Sequence, residues 1–153
     1  LILCDGATLT INDDGLWGAI DADGSLTLYG QSEGTGSVVV TNTHTSASYG
    51  IEVYHDLTIH GGNVSASGNN SGIYANNITL GWSNPASHIY ASRYLGTVKV
   101  KDGQAYTDDT DVYYGTLTDD QRTAIAGKTL QPYGVTMSMN ASGIRTYASP
   151  YDV

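Results

Sequence analysis

A chain of 153 residues is long enough to bury a real core within one domain. Its 19 Gly and 12 Tyr, with no Phe and only 3 Pro, describe a turn-rich β protein, and the regular recurrence of Leu, Ile and Val argues against disorder. A formal charge of −9, with only six Lys and Arg, repels nucleic acid and anionic membrane and suits acidic polymers poorly. Neutral partners, or partners bridged by a cation, fit better. No apolar run reaches the length of a membrane span, and the lone Cys4 excludes an internal disulfide. The opening Leu1-Ile2-Leu3 is strand-like, and neither it nor Pro150-Tyr151-Asp152-Val153 resembles a natural terminus, so both ends read as cuts in a longer protein.

The first signal along the chain is a repeat. Ala7-Thr8-Leu9-Thr10-Ile11 is a loose version of a pattern that recurs as Ser25-Leu26-Thr27-Leu28, Asp56-Leu57-Thr58-Ile59 and Asn77-Ile78-Thr79-Leu80. A second unit places Gly before an aliphatic residue, in Gly15-Leu16-Trp17, Gly50-Ile51-Glu52, Gly72-Ile73-Tyr74 and Gly143-Ile144. Ser37-Val38-Val39-Val40 and Asn63-Val64-Ser65-Ala66-Ser67 lie between them. A leucine strand is followed by a valine strand and a Gly-Ile strand, and the cycle restarts. Leu57 and Ile78 are 21 residues apart, Leu26 and Leu57 are 31 apart, and the extra residues fall in Gly34-Thr35-Gly36 and in 43–49, which read as turns.

Alternation within each strand predicts Leu26, Leu28, Leu57, Ile59, Ile78 and Leu80 inward, with Thr27, Thr58 and Thr79 outward. Strands this short bury an apolar face only by stacking like on like. The predicted fold is therefore all-β, a right-handed parallel β-helix of three-sided coils over residues 1–135. Past Trp82 the repeat loosens, though Ala91-Ser92-Arg93-Tyr94 and Gly96-Thr97-Val98-Lys99-Val100 suit a further coil. Thr118-Asp119-Asp120-Gln121 is a capping box that opens a short helix near 119–126, stopped by Gly127 and placed to cap the C-terminal end of the stack. Residues 136–153 read as an outer strand or the start of a following module.

These residues carry a resemblance. The runs Leu1-Ile2-Leu3-Cys4-Asp5-Gly6-Ala7-Thr8-Leu9-Thr10, Leu26-Thr27-Leu28-Tyr29-Gly30-Gln31 with Gly34-Thr35-Gly36, and Leu57-Thr58-Ile59-His60-Gly61-Gly62-Asn63-Val64-Ser65-Ala66 look like β-helical segments of multimodular surface proteins from gut and rumen bacteria. Over residues 1–130 the chain is similar to the pectin-lyase-like superfamily, whose members include polysaccharide lyases, glycoside hydrolases, adhesins and non-catalytic carbohydrate-binding modules. The resemblance implies a secreted or bacterial cell-surface location, with other modules of the same polypeptide as neighbours. Gly143-Ile144-Arg145-Thr146-Tyr147-Ala148-Ser149-Pro150-Tyr151 resembles the start of such a module.

The lyases of that superfamily need a basic residue, and residues 1–92 contain no Lys or Arg. An inverting glycosidase needs paired carboxylates across a cleft. Asp13, Asp14, Asp21, Asp23, Glu52 and Asp56 are candidates, although Asp beside Gly is also ordinary turn chemistry. His44, His55, His60 and His88 lack metal-ligand spacing. Asp21, Asp23, Asp109 and Asp111 are weak Ca²⁺ candidates, and no cofactor is required.

The aromatic residues are the better signal. With Leu16, Ile51 and Ile73 inward, Trp17, Glu52 and Tyr74 face outward together; with Leu28 and Ile59 inward, so do Tyr29 and His60, with Trp82 near. Tyr54, Tyr90 and Tyr94 add to the supply. Rings on a polar, weakly charged face suit sugars, since pyranose C–H groups pack on the ring while polar side chains bind the hydroxyls. The expected function is a non-catalytic carbohydrate-binding module for plant cell-wall polysaccharide, first xylan or another neutral β-linked glycan. Trp17, Tyr54, Tyr74 and Trp82 would stack on sugar, and Glu52, His55 and His60 would supply polar contacts. The alternatives are a structural or adhesive spacer and, third, an inverting glycoside hydrolase.

Overall fold

The computed structural model describes residues 1–149, among which fifteen strands and one helix form the regular structure. In chain order these begin β1 (Ile2–Leu3), β2 (Thr8–Asp13), β3 (Trp17–Ala22), β4 (Leu26–Gly30), β5 (Ser37–Asn42), β6 (Ser48–Ile59), β7 (Asn63–Ser67) and β8 (Ser71–Leu80). They continue with β9 (His88–Ala91), β10 (Tyr94–Val100), β11 (Tyr106–Thr107), β12 (Val112–Tyr113), α1 (Asp119–Ile125), β13 (Thr129–Pro132), β14 (Thr136–Met139) and β15 (Arg145–Ala148). The protein is mostly β; its six-stranded sheet is wholly parallel, and its seven-stranded sheet is parallel over β2, β5, β7 and β9 and antiparallel over β11, β12 and β13.

One sheet runs β1-β4-β6-β8-β10, with β3 paired alongside on β6; the other runs β12-β11-β13-β9-β7-β5-β2. From β4 to β10 the chain visits them alternately, and each return to a sheet from β6 onward pairs with the previous visit. Register then places like on like. Leu26, Leu57, Ile78 and Val98 form one column, and Leu28, Ile59, Leu80 and Val100 another. In the second sheet Leu9, Val38, Val64, Ile89 and Leu130 are aligned, as are Ile11, Val40, Ala66 and Ala91. These columns are the core, and their middle members are essentially inaccessible. Burying each aliphatic side chain contributes about 1.5–3 kcal/mol, which offsets the ordering of such short strands.

The third column differs from the expected one. Ile51 and Ile73 align with Ile20 and Tyr94, and Leu16 is 54% exposed. The Gly15-Leu16-Trp17 and Gly50-Ile51-Glu52 motifs look alike but are not in register, because the stack keeps the 31-residue offset that aligns Leu26 with Leu57. Leu16 precedes the strand, and Trp17 enters it with φ +75°, a strained backbone for a non-glycine residue.

The strand β6 is long because it pairs with both β3 and β4, and β8 matches it along both stretches. Within β6 the pairing slips between Val53 and Asp56, leaving Tyr54 and His55 exposed at a bulge. Asn76 Nδ2 donates to Tyr54 O at 2.7 Å and holds it. On the next pass Gly96, at φ +117°, occupies the corresponding corner; a Cβ there would lie 1.7 Å from Ala75 O.

The helix forms as its capping box predicts, with Thr118 Oγ1 accepting from Gln121 N and Gln121 Oε1 accepting from Thr118 N. It does not close the end alone. β13 adds antiparallel to β9, and the strand-like 115–117 pairs with β10 through Val100 N to Gly115 O and Leu117 N to Val98 O, both at 2.9 Å. The helix buries Ile125 and fastens Arg122 Nη1 to Gly96 O at 2.7 Å. Beyond it, β14 and β15 form a separate antiparallel hairpin, while the expected module start at Pro150 and Tyr151 lies outside the described residues.

Candidate functional site

The pairing of β3, β6 and β8 places Asp21, Glu52 and Tyr74 in one row. Glu52 is only 3% exposed, although it is a carboxylate. Gly18 makes room for it, since a Cβ at that position would come within 2.6 Å of Glu52 Cβ. Burial, and then the charge of Asp21, raise the Glu52 carboxyl above its ordinary value, while the Gly18 backbone N–H pulls in the other direction. Glu52 Oε2 is buried with no hydrogen-bond partner. An acceptor left in that state is costly unless something donates to it.

Rings surround this carboxylate. Tyr54, 46% exposed, has its hydroxyl pKa raised chiefly by the charge of Glu52, then by burial and by Asp21, Asp23 and Tyr74. Tyr74 is half-buried and packs on Tyr49, with ring centroids 5.3 Å apart and planes tilted by 31°. Asp21, Asp23, Glu52, Tyr54, Tyr74 and Tyr49 thus form one polar and aromatic face. Tyr49 and Gly18 were not anticipated. The signal was available, since the 31-residue offset between Leu26 and Leu57 also carries Asp21 onto Glu52 and Gly18 onto Tyr49.

Other expected site residues are dispersed. Trp17 is 54% exposed but aligns with Ser48, four places from the Asp21–Glu52 pair. His55 is exposed at the β6 bulge. His60 stacks on Tyr29, with centroids 5.1 Å apart and planes within 18°, as a second platform; burial and then Lys101 lower its pKa. Trp82 is a correction, being 6% exposed and part of the core, so it offers no open ring face. The cause is its backbone, clamped by Gln104 through Trp82 N to Oε1 at 2.9 Å and Nε2 to Trp82 O at 3.0 Å. Tyr94 is a second correction, because at 1% exposed it extends the Ile20–Ile51–Ile73 column inward.

Among the carboxylate candidates, Asp56 accepts from Asn77 Nδ2 at 2.8 Å, and Asp13 accepts a long bond from Asn42 Nδ2 at 3.4 Å. Asp14 is exposed. The loop bearing Asp109 and Asp111 is organised around Asp108. Burial works against the Asp108 charge, but the N–H groups of Asp111 and Thr110, the Lys128 ammonium and the Tyr113 hydroxyl hold it well below the usual carboxylate range. Asp109 Oδ1 accepts from Gln131 Nε2. Among the described residues no three His, Cys, Asp or Glu side chains converge as a metal-binding group.

A concavity of about 630 Å³ lies elsewhere, over the outward residues of β5, β7 and β9. Its lining of Ser37, Val39, Asn63 and Ser65 bears one phenol ring, Tyr90, and a His88 already bonded to Ala86 O and Asn63 Oδ1. It has no orphaned polar group comparable with Glu52 Oε2. Among the described residues no helix is long and apolar enough to cross a membrane. Comparison with protein-family models, with curated proteins and with solved structures yields no match to this chain.

Proposed function

We propose that the chain is a right-handed parallel β-helix of three-sided coils, and that it acts as a non-catalytic carbohydrate-binding module. The aligned columns and the alternate visits to two sheets support the coil reading, and the strong preference of parallel crossovers for one hand supports the right-handed form. The observation that carries the functional reading is Glu52 Oε2, a buried acceptor without a partner, set among Tyr54, Tyr74 and Asp21. A sugar hydroxyl supplies the missing donor, and the exposed Tyr54 ring packs on the C–H face of the same residue. Successive strands lie about 4.8 Å apart, close to the rise of one pyranose unit, so a linear β-linked glycan tracks across β3, β6 and β8. Xylan or another neutral glycan of plant cell walls is the ligand class, in a secreted or surface-bound bacterial protein.

Affinity electrophoresis against a panel of soluble polysaccharides tests this. Retardation by a neutral β-linked glycan is expected, weakened about tenfold by Tyr54→Ala. No retardation on any polysaccharide would favour the spacer, the reading that the unpaired edges of β1, β2 and β3 support. Release of reducing sugar that disappears in both Glu52→Gln and Asp21→Asn would replace binding by glycoside hydrolysis.

A further inference from the structure

A second polar groove, of about 370 Å³, lies where the β14–β15 hairpin meets the turns after β8 and β10. Two of the chain's six Lys and Arg residues, Lys101 and Arg145, line it, and neither is in an ion pair among the described residues. The Lys101 stem runs over Gly81, where an added Cβ would meet Lys101 Cδ at 3.3 Å. Trp82 forms part of the wall, and its Nε1–H is buried without a partner. That wall is fixed, because Gln104 clamps the Trp82 backbone and Tyr106 Oη donates to Gly81 O at 2.6 Å. Two unpaired cations and an orphaned N–H together form a set of donors that lacks an acceptor.

We propose that this groove binds a ligand bearing a single carboxylate, with Lys101 and Arg145 on its oxygens and the Trp82 indole N–H as a further donor. Charge count favours one negative charge over two, since Asp102 lines the same groove and Glu33 the adjoining one. The overall charge of −9 repels polyanions, yet a lone carboxylate within a Debye length of about 8 Å responds to the local cations. The Tyr29–His60 platform is adjacent, because Tyr29, His60, Gly81 and Lys101 each follow a member of the aligned Leu28–Ile59–Leu80–Val100 column. A sugar whose ring rests there can direct its carboxylate into the groove. This site shares no residue with the Glu52 face and does not depend on it.

The test is nitrogen-15 NMR of the two indole N–H signals, assigned with Trp17→Phe, during titration with sodium glucuronate, sodium acetate, glucose and sodium phosphate. Both carboxylates are expected to shift the Trp82 signal, and glucose to leave it in place. Lys101→Gln and Arg145→Gln should each weaken binding about tenfold, the loss expected for one charge-assisted hydrogen bond. Lys99→Gln, which breaks the Lys99–Asp102 pair, should leave binding intact. Tighter binding of glucuronate than acetate identifies a sugar-borne carboxylate, and equal affinity a free one. A Trp82 signal unmoved by both carboxylates, a shift that survives the double variant, or tighter binding of phosphate would each overturn the proposal.

Discussion

The two ends of the stack face the same physical problem and meet it differently. At the C-terminal end the columns finish under cover: Leu130 and Val100 are inaccessible, β13 turns back antiparallel on β9, and 115–117 pairs with β10. At the N-terminal end β1, β2 and β3 each have, among the described residues, a strand neighbour on one side only. There Ile2 is 61% exposed, Leu9 42% and Leu16 54%. A parallel ladder has no built-in terminus, because every strand offers N–H and C=O groups to a further one. Closure therefore takes a change of direction in the chain, and residues 113–132 provide it at the C-terminal end.

A single column measures the contrast, since Leu9 and Leu130 terminate it at opposite ends. Leu130→Ala should cost about 3 kcal/mol, the usual penalty for emptying a buried leucine site. Leu9→Ala should cost below about 1 kcal/mol, because much of that side chain already meets water. Urea unfolding of the two variants gives the comparison directly, and equal losses would break it.

Carboxylates separate the same two halves by the sign of their pH response. Asp108, in the closed half, has its pKa lowered on folding. Its stabilisation is therefore present above the unfolded carboxylate value of about 3.9 and lost as pH falls below it. Asp108→Asn should remove about 2 kcal/mol at pH 7 and flatten the acid limb of a stability-against-pH curve. Glu52, in the half with the open edge, has its pKa raised. Its contribution is present below an unfolded value of about 4.3 and lost as pH rises through the folded value. Glu52→Gln should accordingly stabilise the protein at pH 7, by up to about 1 kcal/mol. Destabilisation by that change would mean that the buried carboxylate is satisfied within the fold. The smallest effect is expected at the exposed rim, where Leu16→Ser should fall within about 0.5 kcal/mol of the wild type.

Much of this architecture is written in short local patterns. The alternation of Leu26, Leu28, Leu57, Ile59, Ile78 and Leu80 determines which side chains are buried, and Thr118 with Gln121 determines where the helix begins, because both depend on neighbours a few residues away. Alignment between passes was harder to read, since two Gly-aliphatic motifs can match by eye and still stand 35 residues apart in a stack whose offset is 31. Only the folded chain decides that a bulge brings Tyr54 outward and that Gln104 holds Trp82 in the core. Those outcomes arise from contacts between residues about 20 to 30 positions apart, where pairing register and competition for space outweigh any local preference.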